Sequence, residues 1–128
     1  QRAVFEGLAF AIVDALQGYP QGGELYLTGG GAASATWLQI IADCTGRTVV
    51  SSAFNELSAR GAAILAARSV AALAETPPLA QTRYQPRPQA HARYAALYPV
   101  YRLLREQMLP VWQARQAALQ PLSQDLQP

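Results

Sequence analysis

The sequence predicts an α/β fold in which a short parallel sheet is covered by helices. Three observations lead there. Apolar residues recur at helical spacing in three stretches, two short apolar runs fall between those stretches, and a Gly-Gly-Gly turn joins the first run to the second helix. The 128 residues suffice for one domain with a single core. With 51% apolar and 14% charged residues, the composition is that of a globular chain rather than a disordered one.

Residues 2–17 set Val4, Phe5, Leu8, Ile12 and Leu16 at helical spacing, an amphipathic helix. Gly18-Tyr-Pro-Gln-Gly-Gly23 ends it, and Glu24–Thr28 reads as a short strand. A second helix is expected over Ala32–Thr45, with Trp37, Ile40, Ile41 and Cys44 along one side and Gly46 as its stop. Thr48-Val-Val-Ser51 is the second buried strand. A third helix is expected from a cap at Asn55 to Leu73, with Glu56 in its first turn. Its centre, Gly61-Ala-Ala-Ile-Leu-Ala-Ala67, consists mostly of small residues, which suits close packing against a sheet or another helix.

The chain then changes character. Residues 74–90 hold Pro77, Pro78, Pro86 and Pro88 with several glutamines and read as an extended surface linker. Residues 91–119 place Leu97, Tyr101, Leu104, Met108 and Val111 at helical spacing beside Tyr94, Tyr98 and Trp112. That stripe predicts a docking helix, which Pro99 and Pro110 should start, kink or divide. Residues 120–128 should fray as a disordered tail. The expected division is an α/β core over 1–73, the linker, the docking helix and the tail. A two-stranded sheet with open edges is marginal in water, so an exposed edge on the 24–28/48–51 sheet, or a homodimer that covers it, is expected.

The functional reading turns on Leu25-Tyr-Leu-Thr-Gly-Gly-Gly-Ala-Ala-Ser34. Gly29, Gly30 and Gly31 carry no Cβ, so the chain can adopt positive φ there and a ligand can approach the backbone. The helix that follows points unpaired N–H groups and its positive end into the same space, an arrangement suited to phosphate. The competing reading is a turn whose glycines only save room.

Other chemistries fare worse. The net charge of +2 comes from ten arginines with no lysine, and they are scattered, which argues against nucleic acid. A P-loop requires the lysine this chain lacks. A dinucleotide fingerprint is weakened by Ser34 at its third glycine position and by Ser51-Ser52 where an acidic group is wanted. The lone Cys44 reads as a buried small hydrophobe, and no Cys/His set has metal-ligand spacing. His91, the single histidine, falls at a helix start or in the linker, where capping or exposure is usual. Asp43 reads as a partner for backbone or an arginine rather than a base, so no residue is assigned a catalytic role. No apolar run is long enough for a transmembrane helix and no signal peptide is visible, so a cytoplasmic location is expected. The start at Gln1, inside a helix and without Met, suggests a piece of a longer protein.

Arg2-Ala-Val-Phe-Glu-Gly-Leu-Ala-Phe10, Leu27-Thr-Gly-Gly-Gly-Ala-Ala-Ser34, Trp37-Leu-Gln-Ile-Ile-Ala-Asp-Cys-Thr-Gly46 and Gly61–Ala67 follow in an order that resembles the C-terminal domain of FGGY carbohydrate kinases. The tail, from Tyr84-Gln-Pro through His91, Tyr94, Tyr98 and Tyr101, is most similar to the xylulokinase branch. The resemblance covers about residues 2–112. It implies the C-terminal ATPase subdomain of the actin/ribonuclease-H-like fold, truncated here, within a two-lobed enzyme that passes the ATP γ-phosphate to a sugar, D-xylulose above all. It also implies that Gly29, Gly30 and Gly31 contact the nucleotide phosphates and that Ser34 lies near adenine or ribose. Mg2+ would be held through ATP and an N-terminal sugar-binding lobe, which also supplies the aspartate base. Without that lobe the fragment is expected to be inactive. Where the family often has a lysine, this chain has Ala33, which puts the strength of nucleotide binding in question. A non-catalytic scaffold module, with an empty glycine turn and a docking aromatic helix, is the alternative from another class.

Overall fold

The computed structural model describes residues 2–20, 22–52, 56–70 and 78–124, with side chains through residue 119. In chain order the elements are α1 (Arg2–Ala15), β1 (Leu25–Leu27), a 3-10 turn (Gly30–Ala33), α2 (Ala35–Thr45), β2 (Val49–Ser52), α3 (Leu57–Val70), β3 (Gln81–Tyr84) and α4 (Pro88–Gln124). Two compact units result, residues 1–94 and residues 95–128. Among the described residues no helix is long and apolar enough to cross a membrane.

The α/β class is as expected, but the sheet is larger and mixed. β1 and β2 are parallel, with Leu25 opposite Val49 and Leu27 opposite Ser51. β3 adds to the other edge of β2 in antiparallel sense, Val49 opposite Tyr84 and Ser52 opposite Gln81. The stretch read as a surface linker therefore holds a paired strand and the start of α4. Thr82 and Tyr84 alternate as β-formers do, a signal outweighed by the prolines on either side. β1 remains an edge strand, with no strand on its outer side among the described residues.

The main cluster of the core lies on one face of this sheet, while Val50, on the other face, is also buried. Leu38, Ile41 and Ala42 of α2 meet Val49, with Ile12, Leu25, Leu27, Trp37 and Tyr84 packed around them. Phe10 on α1 meets Tyr94 edge-on, ring centroids 5.9 Å apart. The Tyr94 hydroxyl donates to Glu6 at 2.8 Å, and Arg2 spans both, donating to Glu6 at 2.9 Å and to Tyr94 at 3.2 Å. On the opposite face Glu24 accepts from Tyr26 and from Arg83, each at 3.0 Å, which clips the two outer strands together. Cys44 is buried as expected, and desolvation first, then the charges of Glu6 and Asp43, pushes its thiol up to about 12.

Close packing of α3 was expected, yet none of its residues is fully buried, and Leu65 and Val70 stand exposed. It begins after Glu56, whose carbonyl accepts from Arg60 N–H at 3.0 Å. The cap expected at Asn55 lies outside the described residues. α4 also departs from expectation: Pro99 and Pro110 neither start nor divide it, and it runs unbroken through 120–124, positions expected to fray. In residues 95–119, Tyr98 and Tyr101 stack at 6.3 Å, and Leu97, Leu104, Val111 and Trp112 are exposed.

The first turn of α4 is bolted to the end of α2. Asp43, fully buried, accepts from the Arg87 N–H at 2.8 Å, from Arg87 Nε at 3.1 Å and from Gln39 at 3.0 Å. Burial alone would raise this carboxyl, but the Arg87 side chain and backbone and the Gln39 amide outweigh it and hold it below the ordinary carboxylate value. His91 Nδ1 lies 2.9 Å from the Asp43 carbonyl oxygen, so the histidine is part of a contact rather than a solvated cap. Its ring sits over Gly46, which has φ of 68° in the left-handed region. A Cβ on Gly46 would come within 2.6 Å of His91 Cε1.

Two outcomes follow from this joint. Gly46→Ala should cost about 1–2 kcal/mol for the left-handed backbone plus the displacement of His91. In urea melts, Gly46→Ala combined with His91→Ala should be less destabilised than the sum of the single changes. Asp43→Ala should cost about 2 kcal/mol near pH 7 by stranding the Arg87 N–H. The Arg87 guanidinium is 63% exposed, so the ion pair itself adds little. Because the folded-state value lies below the unfolded one, the carboxylate's contribution is complete above about pH 4 and is lost as pH falls through the lower folded value. The stability gap between wild type and Asp43→Ala should therefore narrow on acidification.

Candidate functional site

β1 and β2 run parallel, so their carboxyl ends, at Leu27 and Ser52, lie on the same edge of the sheet. Ligands in open α/β sheets bind in the crevice outside such ends. The glycine run leaves β1 at that edge. Gly29 has φ of 84° and ψ of −171°, a combination essentially confined to glycine. Its carbonyl accepts from Ala32 N–H at 2.9 Å and closes the 3-10 turn. Ser51 ties the turn down from β2, donating to the Ala32 carbonyl at 3.3 Å.

The expected positive φ occurs at Gly29 alone of the three glycines. Gly30 and Gly31 are part of the 3-10 turn, and α2 itself starts at Ala35 rather than Ala32. A Cβ on Gly31 would make an ordinary contact with Trp37 Nε1 at 3.7 Å, and one on Gly30 would meet nothing within 4 Å. Gly30, Gly31 and Ser34 are exposed, and Gly29 is half-buried. The bend is thus open to solvent, and Gly30 has no packing reason to lack a side chain.

Ser34 is the cap of α2. Its Oγ accepts from Trp37 N–H at 3.4 Å and its carbonyl from Leu38 N–H at 3.0 Å. The hydroxyl proton remains able to donate. The N–H groups at the starts of the 3-10 turn and of α2 have no intrahelical acceptor and carry the positive end of the dipole. Trp37 is steadied by Phe5 of α1, ring centroids 5.4 Å apart. Such a bend can hold a phosphate by its backbone. It offers no side-chain cation of its own, since Ala33 stands exposed where a lysine would help.

Asp43 is spent on Arg87, and among the described residues no three His, Cys, Asp or Glu side chains could share a metal ion. One feature escaped the sequence reading: a cavity of about 650 Å³ bounded by α1, α2 and the β3–α4 stretch, which does not include the glycines. Its walls come from elements far apart in the chain, and the pairing of β3 together with the Asp43–Arg87 joint brings Tyr84 and Arg87 beside α1 and α2.

Comparison with known proteins bears on these features. The FGGY family of carbohydrate kinases, C-terminal domain, matches residues 1–70, more than half of the chain. Over 108 residues, 80% of this chain, the sequence is 32% identical to a probable L-xylulose kinase of Pasteurella multocida strain Pm70, covering 22% of that protein. The crystal structure of xylulose kinase from Rhodospirillum rubrum matches with a TM-score of 0.70 and 28% identity, over 88% of this chain and 25% of that one. Ligand-bound xylulose kinase from Lactobacillus acidophilus matches with a TM-score of 0.71 and 23% identity, over 84% of this chain and 24% of that one. The chain thus spans about a quarter of the length of these relatives. With the family match extending from α1 through α3, this α/β unit belongs to the FGGY family of carbohydrate kinases, as its C-terminal domain.

Proposed function

We propose that this domain is the nucleotide-holding lobe of an ATP-dependent sugar kinase. Gly29, Gly30 and Gly31 present backbone N–H groups to the nucleotide phosphates, and Ser34 donates its hydroxyl proton towards the ribose or adenine. The observation that carries the reading is Gly30: exposed, free of packing contacts, and set where two parallel strands end. A side chain there would obstruct only something that comes from outside.

ATP supplies the transferable γ-phosphoryl group, with Mg2+ held through the triphosphate and the preceding lobe of the same enzyme. This chain's own contribution is to position and partly neutralise the polyanion, which is most of what phosphoryl transfer requires of a protein. The sugar and the aspartate that takes its hydroxyl proton belong to the other lobe, so the domain alone transfers no phosphate. The named relatives, a probable L-xylulose kinase and a xylulose kinase, support a xylulose as acceptor, D-xylulose being the one proposed. Exposed Leu97, Leu104, Val111 and Trp112 support reading α4 as a docking helix, for that lobe or for a second copy of the chain.

Two glycine substitutions separate structure from function. Gly29→Ala should destabilise the chain by about 1–3 kcal/mol, because its backbone conformation excludes a side chain. Gly30→Val should leave the melting transition nearly unchanged yet weaken Mg-ATP or ADP binding at least about tenfold. Amide shifts of Gly29 to Ser34 during a nucleotide titration read the binding directly. Unmoved signals at about millimolar nucleotide, or equal affinity in Gly30→Val, would favour the scaffold reading.

A further inference from the structure

The cavity bounded by α1, α2 and the β3–α4 stretch has no part in the reading above. Its volume, about 650 Å³, falls within the range of about 300–1,000 Å³ usual for small-molecule sites. Phe5 and Tyr84 give it two aromatic walls, Thr36 and Gln39 give polar groups from α2, and Arg2 and Arg87 both line it. Among the described residues no acidic side chain lines it.

Both guanidiniums are held in place before any ligand arrives. Arg2 uses Nε on Glu6 and one Nη on Tyr94. Arg87 uses Nε and one Nη on Asp43. In each case the second Nη carries no bond among the described residues, so donors with a fixed direction remain. Gln39 Nε2 is likewise committed, to Asp43 and to the Gln85 carbonyl at 2.9 Å, which leaves its Oε1 to accept. Thr36, in the first turn of α2, adds a hydroxyl to the same wall.

We propose that this cavity is a second ligand site, for a flat organic anion bearing one phosphate or carboxylate. The ring would lie between Phe5 and Tyr84, and the anionic group would take the spare N–H donors of Arg2 and Arg87. The carboxylates of Glu6 and Asp43 offset the two positive charges, so recognition rests on directed donors and aromatic contact rather than on net field. Affinity near the millimolar range follows, and bare phosphate, with no ring to place, binds less well. The site is independent of the glycine turn, so either can fail without the other.

Phenyl phosphate and benzoate are the probes, titrated into the 128-residue chain to about 10 mM with amide and side-chain shifts followed. Saturable shifts are expected at Phe5, Thr36, Tyr84 and the Gln39 side chain, with inorganic phosphate at least about tenfold weaker. A preference for phenyl phosphate over benzoate would assign the site to phosphate monoesters, and the reverse to carboxylates. Thr36→Phe, an exposed position, should fill the cavity and abolish the response, whereas Gly30→Val should leave it intact. Arg2→Gln should weaken it several-fold while the spectrum stays folded. Linear, unsaturated shifts with both probes, an equal response to inorganic phosphate, or unchanged binding in Thr36→Phe would overturn the proposal.

Discussion

One buried carboxylate holds the first compact unit in register. Asp43 sits near the end of α2 with no access to water and gathers donors from the backbone and side chain of Arg87 and from Gln39. An unpaired charge at that depth would be costly, so the β3–α4 stretch cannot leave without stranding it. That constraint aligns β3 on β2, sets His91 over Gly46, and brings Tyr94 to Phe10 and Glu6. The three-stranded sheet and the cavity walls depend on the same joint.

α2 consequently has two different ends. Its C-terminal end is closed, with Gly46 turning in the left-handed region beneath the His91 ring. Its N-terminal end is open, with Ser34 capping, exposed glycines ahead of it and backbone donors facing solvent. At this open end the Ser34 hydroxyl and the Ser51 tether help to fix the chain.

Much of this was legible in the residues. The helical spacing from Val4 to Leu16 gave α1, Gly46 gave the stop of α2, and Val49-Val50 gave a buried strand. Asp43 read correctly as a partner for arginine, although the sequence could not say which. β3 was hidden because Pro78, Pro86 and Pro88 dominate local composition, while its evidence, a strand partner on β2, is a long-range fact. The glycine run was found by its lack of side chains, but its division of labour was not. The left-handed backbone falls on Gly29 and the open space on Gly30, because a 3-10 turn over Gly30–Ala33 precedes α2, which starts only at Ala35.

The prolines of α4 bear on which side of that helix can meet anything. Pro99, Pro110 and Pro121 recur every eleven residues, close to three full turns, within one continuous helix. Each omits the N–H that the carbonyl four residues earlier would have received, leaving Ala95, Glu106 and Ala117 with acceptors short of a helical donor along a single meridian. Any bend they impose accumulates in one plane instead of cancelling. That meridian retains its need for water, so an apolar partner would approach from another side of the helix.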